Sequence, residues 1–374
     1  MARTVFILGA GASKHAGAPL MNQFLEKAWD LLETDKLAAA DRCDFALVRK
    51  GVNALQIAHS KGDLDIWNLE AVFDAFEMAV LLGHLGDMPK EDIERLPEAM
   101  RQVILTTLQE QIRLPIEAGG GSRTLAATKP YARFVDAAAS VEKTTGAYPA
   151  VITFNYDICL EWALYRRGIP WSDCVRAPGS GASLRLLKLH GSLNWAFCSS
   201  CRQVAESRDW GSIVEGAHDT AARAQDDGLQ VTRLEVVSGA PTAPRCGCES
   251  SKRAVMVVPP TINKGQHHDM LSKVWAAAAA ELRTAEDIFM CGYSLPEADM
   301  FFRYLYAVGT IGEASLRRVW VFNPDAGVKP RFSALLGKQV LSQRHRFLLF
   351  PVEFEKINWQ AVLTGDLKAL PNPV

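Results

Sequence analysis

Several groups of residues in this 374-residue chain have the types and spacings that could do chemistry. Gly9-Ala10-Gly11-Ala12-Ser13 follows a short apolar run. Glycines at a strand end let the backbone approach a pyrophosphate, and a helix that follows supplies N–H donors and the positive end of its dipole. The third glycine of the dehydrogenase fingerprint is absent, because Lys14 stands there. Nor does a second strand follow that ends in an acidic ribose ligand about 20 residues on. A plain dehydrogenase is therefore not expected, and a tight turn without a ligand is the competing reading. Thr153-Phe154-Asn155-Tyr156-Asp157 also ends an apolar run. Asn155 and Asp157 there could meet a ligand or could cap the next helix. His190, in Lys188-Leu189-His190-Gly191-Ser192, titrates near neutrality and is a candidate base, with a structural histidine as the alternative. Cys291-Gly292-Tyr293-Ser294 and Phe322-Asn323-Pro324-Asp325 close two more such runs.

A different chemistry is suggested by Cys198, Cys201, Cys246 and Cys248, a C-x2-C followed 44 residues later by C-x-C. Four thiolates in two close pairs suit a tetrahedral structural zinc. Unliganded or redox-active thiols are the other possibility, because the gap is longer than in a compact zinc ribbon. Cys43, Cys159, Cys174 and Cys291 are scattered among apolar neighbours and read as small buried residues.

These residues need a scaffold, and the hydrophobic pattern supplies one. Thr4–Leu8, Ala150–Thr153, Leu186–Leu189, Ala254–Val258, Asp287–Cys291, Val319–Phe322 and Phe347–Phe350 are short, fully apolar runs that read as buried strands. Helical patterns at Asp157–Arg166, Met270–Arg283, Asp299–Val308 and Lys329–Leu336 separate most of them. Such alternation predicts an α/β domain, a doubly wound parallel sheet covered on both faces and Rossmann-like. Ligands then bind at the carboxyl ends of the strands, where the polar groups above all fall. Residues 20–146 read as a helical insertion without a convincing strand, divided by Pro115 and Gly119-Gly120-Gly121-Ser122. Residues 198–253 form a polar cysteine module with a loop between its pairs. The α/β domain is left with 1–19, 147–197 and 254–355.

Apolar residues make up 48% and charged residues 22%, which is ordinary globular composition. Lys plus Arg is 41 against Asp plus Glu 42, so no direct nucleic-acid signal arises. No run reaches the 18 apolar residues of a membrane span, and the first residues lack the longer apolar region of a secretory signal. A soluble, cytoplasmic protein is expected.

In order, GAGAS, TFNYD, LHGS, paired cysteines, GYSL and FNPD resemble the sirtuin superfamily across residues 4–326, apart from the helical insertion. The resemblance implies an NAD-binding domain, with Gly9, Ala10, Gly11 and Ser13 as its phosphate loop. Asn155 and Asp157 match the N-x-D pair around the nicotinamide and its ribose, and His190 matches the catalytic base. Gly292 and Ser294 match the later phosphate-side turn, and Asn323 the adenosine-ribose contact. The departures bear on activity. Where protein-deacylating sirtuins carry G-I-P-D-F-R, this chain has Ala16-Gly17-Ala18-Pro19-Leu20-Met21. Their F-G-E-x-L-P is replaced by Val258-Pro259-Pro260-Thr261-Ile262-Asn263, and Phe154 replaces their glutamine before the asparagine. Ser294-Leu295-Pro296-Glu297-Ala298-Asp299 stands in place of their peptide-pairing V-x-P. The chain looks like the prokaryotic sirtuin-like NAD hydrolases of antiphage defence, with their G-Y-S-L-P-x-x-D and F-N-Y-D patterns. That likeness implies NAD+ as substrate, structural Zn2+ and an abortive-infection role. It also implies a homo-oligomer or a separate partner, such as a HerA-type ATPase or another defence protein, that holds the activity in check. A nucleotide-like messenger is the alternative trigger. An NAD-dependent lysine deacylase and a non-catalytic NAD or ADP-ribose sensor are the competing functions.

Overall fold

In β1 (Thr4–Leu8), Val5 and Ile7 point to one side and Phe6 and Leu8 to the other, and all four are buried. A strand of this kind needs cover on both faces. The computed structural model shows that cover. It describes the chain except residues 1–2, 35–36, 57–61, 63, 120–121, 176–180, 199, 207–230, 234–252, 259–264, 297–298, 313 and 344. β1 lies in a seven-stranded sheet with β4 (Ala150–Thr153), β5 (Trp171–Ser172), β6 (Leu184–Lys188), β11 (Asp287–Cys291), β12 (Arg318–Phe322) and β13 (Phe347–Phe350). The order is β13-β12-β11-β1-β4-β6-β5, and every neighbouring pair is parallel. One core face packs Phe6, Phe289 and Phe322 against α5 (Lys129–Thr145), α6 (Cys159–Arg166) and α10 (Trp359–Thr364). The other packs Ile7, Ile152 and Met290 against α7 (Gly265–Thr284), α8 (Met300–Gly309) and α9 (Lys329–Leu335). Trp359 meets Phe6 and Phe134 edge-on, so the α/β layer extends past residue 355.

The insertion after β1 contains α1 (Phe24–Leu32), α2 (Ala39–Leu55), α3 (Leu69–Leu82) and α4 (Lys90–Gln111). One expectation is corrected there. Residues 20–146 also contain strands, a hairpin of β2 (Arg113–Gly119) and β3 (Ser122–Leu125) with Gly119 opposite Ser122. The glycine cluster that reads as a breaker is a hairpin-turn sequence. Pro115 does not prevent pairing, because its carbonyl is the group that joins, accepting from Ala126 N–H at 2.8 Å. β2 also pairs with β9 (Val231–Arg233) from the cysteine module.

A second correction concerns the apolar run at 254–258. β10 (Arg253–Val257) lies outside the parallel sheet, antiparallel to β7 (Gly191–Cys198), with β8 (Val204–Glu206) on the far side of β7. Periodicity cannot say which sheet a buried apolar strand joins. Here Gly191 decides it. It takes φ +82°, and a Cβ there would lie 2.1 Å from Met256 O, so the two strands can approach this closely only at glycine. No helix among the described residues is long and apolar enough to cross a membrane.

Candidate active site

Strand order reverses about β1, with β4 on one side and β11, from much later in the sequence, on the other. That switch point is where an open α/β sheet leaves a crevice at its carboxyl edge. The turns after β1 and β11 meet there, backbone on backbone. Gly9 N–H donates to Cys291 O (3.1 Å), Gly11 N–H to Gly292 O (2.8 Å) and Gly292 N–H to Phe322 O (2.9 Å). A Cβ on Gly11 would lie 2.8 Å from Gly292 Cα, and one on Gly292, at φ +61°, 2.4 Å from Ala12 N. The glycines are thus required first by the packing of two turns, and that packing brings both turns to one cavity wall.

The cavity measures about 580 Å³, within the range of small-molecule sites. Gly9, Ala10, Gly11, Gly292, Ser294 and Asn323 line one stretch of it, and Asn155 and His190 another. Eight of the ten residues expected to act on a ligand therefore share one cavity. Ser13 and Asp157 are buried and do not line it. Ser13 Oγ accepts from Asn155 Nδ2 (3.1 Å) and lies 2.7 Å from Tyr131 OH. It therefore orients the Asn155 amide from behind. One Asp157 carboxylate oxygen accepts from Cys159 N–H (3.0 Å) at the start of α6. Asn323 Nδ2 donates to Tyr293 O (3.0 Å), and Asn323 Oδ1 accepts from Asp325 N–H (2.9 Å), which ties the β11 and β12 turns together.

The loop carrying Asn155 is fixed by an unusual buried ion. Lys188 ends β6 inside the protein, and its ammonium donates to Glu161 Oε1 (2.6 Å) and to the carbonyls of Tyr156 and Asp157. Ser192 Oγ adds a bond to Tyr156 O (3.3 Å), and Leu193 N–H adds another (2.9 Å). Burial pushes the Glu161 carboxyl up, and Lys188 pulls it back toward its ordinary value.

His190 leaves β6 two residues later. Its Nε2 lies 3.3 Å from Asp299 Oδ1, and both side chains are almost fully buried. Asp299 Oδ2 accepts from Tyr293 OH (2.9 Å). Burial, reinforced by Asp299, holds the Tyr293 phenol well above its usual range, so it remains a donor. A carboxylate on one imidazole nitrogen fixes the tautomer and stabilises the cation formed when the ring accepts a proton. Phe154 stands edge-on to His190 (5.1 Å) and stacks on Tyr293 (4.3 Å, 8°). Asp299 is visible in the sequence as the acid of S-L-P-x-x-D, but its partner lies 109 positions earlier and no spacing rule pairs them.

Two further lining residues carried no sequence signal. His15 stacks parallel to Phe354 (5.9 Å, 10°) with Nε2 2.7 Å from Thr128 Oγ1. Burial lowers its pKa to about 4, partly offset by the charge of Asp157, so the ring is neutral at pH 7. Glu70, in the first turn of α3, is buried beside Asp65 and Asn68 in the wall that the helical insertion supplies.

Cys198 ends β7, and a turn closed by Arg202 N–H to Cys198 O (2.8 Å) leads through Cys201, with Arg202 at φ 55°. Cys246 and Cys248 lie outside the described residues. Among the described residues no group of three or more His, Cys, Asp or Glu side chains could hold a metal ion.

A parallel sheet wound on both faces, with glycine turns meeting at its switch point, defines a Rossmann-like α/β fold. No family model matches the chain, and no curated protein matches it. Solved structures similar to it are Sir2 sirtuins. One, described under the structural basis for the mechanism and regulation of Sir2 enzymes, is 16% identical with a TM-score of 0.38, covering 95% of this chain and 88% of that one. A Sir2 homolog–NAD complex is 15% identical with a TM-score of 0.41, covering 98% and 90%. A Sir2–p53 peptide–NAD+ structure is 14% identical with a TM-score of 0.35, covering 98% and 94%.

Proposed function

We propose that the chain is a sirtuin-type NAD+ hydrolase that cleaves the nicotinamide–ribose bond to give nicotinamide and ADP-ribose. One observation carries the reading. A single cavity joins the paired glycine turns to Asn155 and to a histidine backed by a carboxylate. The replaced peptide-binding segments support the same reading.

The glycine-turn amides, Ser294, Lys14 and Arg331 hold the pyrophosphate, and Asn323 meets the adenosine half. Asn155, held by Ser13, orients the nicotinamide ribose and the attacking water. Asp157 sets the loop and the start of α6. The C1′–N1 bond breaks with its electron pair going to the nicotinamide nitrogen, which neutralises the pyridinium, so no general acid is needed. Water bonds to C1′ and its proton passes to His190, whose imidazolium Asp299 stabilises. Zinc on Cys198, Cys201, Cys246 and Cys248 would be structural, because four thiolates leave no open position. The left-handed residue after Cys201 closes a tight turn between the first two thiols and fits that use. An effector role in antiphage defence, with assembly or a HerA-type partner as its control, rests on the resemblance and on the exposed apolar side chains Tyr304 and Val308 on α8 and Ile311 just beyond it.

The test is incubation of purified protein with NAD+, with and without acetylated peptide, following nicotinamide and ADP-ribose. Peptide-independent release that Asn155→Ala and His190→Ala each reduce on the order of 10²-fold or more is expected. Release only with peptide, accompanied by O-acetyl-ADP-ribose, would replace the hydrolase with a deacylase. Binding without release would indicate a sensor.

A further inference from the structure

Tyr293 stands directly after Gly292, in the turn that meets Gly11, yet its hydroxyl reaches the partner of His190. Its carbonyl accepts from Asn323 Nδ2 (3.0 Å), which fixes its backbone. Its ring is only 3% exposed, stacked on Phe154 (4.3 Å, 8°) and met edge-on by Phe302 (5.6 Å, 88°). Phenylalanine would satisfy all of that packing, so the packing does not account for the hydroxyl. The hydroxyl donates to Asp299 Oδ2 (2.9 Å), while Oδ1 of the same carboxylate lies 3.3 Å from His190 Nε2. The two oxygens are thus divided between a phenol and an imidazole. Tyr156 also stands beside the imidazole, with ring centroids 6.1 Å apart, but its hydroxyl donates to Val258 O (2.7 Å).

We infer that Tyr293 is a positioning residue whose hydroxyl holds the Asp299 carboxylate against His190 and takes up part of its charge, so that the imidazole is aligned by the carboxylate without being kept protonated by it. The consequence for turnover rests on the hydrolase reading; the hold on the imidazole does not. A buried carboxylate beside a histidine favours the imidazolium, and a base that already carries its proton accepts none from water. A neutral donor on the second oxygen draws on the anionic charge and weakens that pull, while the carboxylate keeps its grip on the ring. Other charges stand near the pair. Glu70 of α3 and Arg303 of α8 act with opposite signs on the Tyr293 phenol, and Lys188, on the strand that His190 leaves, is paired with Glu161. All of them survive a change at Tyr293, so an effect of that change on His190 belongs to the hydroxyl.

The experiment compares Tyr293→Phe with the parent chain, Asp299→Asn and Tyr156→Phe, with melting temperature as a fold control. NMR titration of the His190 imidazole, its signals assigned by their loss in His190→Gln, reads the hold directly. In Tyr293→Phe the titration should move up by about one pH unit, whereas in Asp299→Asn it should move down. Tyr156→Phe should leave it in place. In nicotinamide release, Tyr293→Phe should lower kcat on the order of 10-fold with a smaller change in KM, and the acid limb of its pH–rate profile should rise with the imidazole. Fluorotyrosine at position 293, nearly the same in size but a stronger donor, should move the titration down, and it serves if the phenylalanine variant does not fold. A folded variant at position 293 that keeps the parent's His190 titration overturns the inference. If the parent releases no nicotinamide but the titrations move as stated, the hydrolase reading fails and the hold of Tyr293 on the imidazole stands.

Discussion

Replacing Lys188 by Met tests how the active-site loop is held. Methionine nearly preserves the aliphatic stem but deletes the ammonium that donates to Glu161 and to the carbonyls of Tyr156 and Asp157. Removing one member of a buried ion pair leaves the other charge uncompensated and costs about 3–5 kcal/mol. Set against a total stability of about 5–15 kcal/mol, that is a large fraction. The remaining charge gives the variant a pH signature. Burial already raises the Glu161 carboxyl, and without Lys188 the main opposition to that rise is gone. A carboxyl raised in the folded state takes up a proton on folding. The variant should therefore be most stable below the ordinary glutamate range and lose stability as pH climbs toward the raised folded value. Glu161→Gln added to Lys188→Met removes the stranded charge and should recover part of the loss, so the two changes are strongly non-additive. Urea unfolding of the parent, the two single variants and the double variant across pH 4 to 8, about the span of the carboxyl titration, reads both effects, and nicotinamide release reads the loop. A cost under about 1 kcal/mol, the size of a surface pair, or simple additivity would refute the account of Lys188 as the loop's anchor.

Asp299→Asn keeps the shape of the His190 contact but removes its charge; turnover should fall on the order of 10²-fold with melting temperature little changed, and the pH–rate profile of the base should shift to lower pH. For Gly292→Ala, the new methyl meets Ala12 N and the left-handed φ is strained, so a loss of about 1–3 kcal/mol should appear by urea denaturation together with weaker ADP-ribose binding. His15 is folded into a neutral state with its pKa lowered to about 4 from 6.5. The unfolded chain thus binds more protons between those values, and stability should fall as pH drops through that window. His15→Gln should flatten the slope, and an equally steep slope in that variant would assign it to other groups. Cys198→Ser should lower zinc content and stability together, and a reduced wild type without zinc by elemental analysis would remove the metal from this protein.

The doubly wound sheet was legible because its strands are uniformly apolar and end in glycine, asparagine or histidine, signals local to each segment. Asn155, His190 and the glycine turns were legible for the same reason. Other features depend on what a residue meets across the fold. Ser13 reads as part of a phosphate loop and is found behind Asn155, because Tyr131 from α5 reaches it. Arg253–Val257 has the composition of a central parallel strand but pairs with β7, a choice made by Gly191 of its partner. The β2–β3 hairpin was hidden because glycine and proline serve as both breakers and turn formers. Asp299 is visible as the acid of S-L-P-x-x-D, but its contact with His190 is not, since the two come from elements far apart in sequence.

Under the proposed function, the division between what would hold the dinucleotide and what would cleave it follows the same line. The turns at residues 9–13 and 291–295 hold each other by backbone hydrogen bonds and by the lack of Cβ atoms, so side-chain changes around them leave that cavity wall in place. The proposed reacting end draws on side chains of three separate segments: Asn155 after β4, His190 after β6 and Asp299 before α8. Its geometry depends on how those segments pack, since an error near 1 Å is enough to forfeit most of an orientation advantage. Binding and cleavage should therefore separate readily under mutation. Substitutions that loosen α8 or the Lys188–Glu161 anchor should leave ADP-ribose affinity close to normal while turnover collapses, whereas substitutions in the glycine turns should lower both.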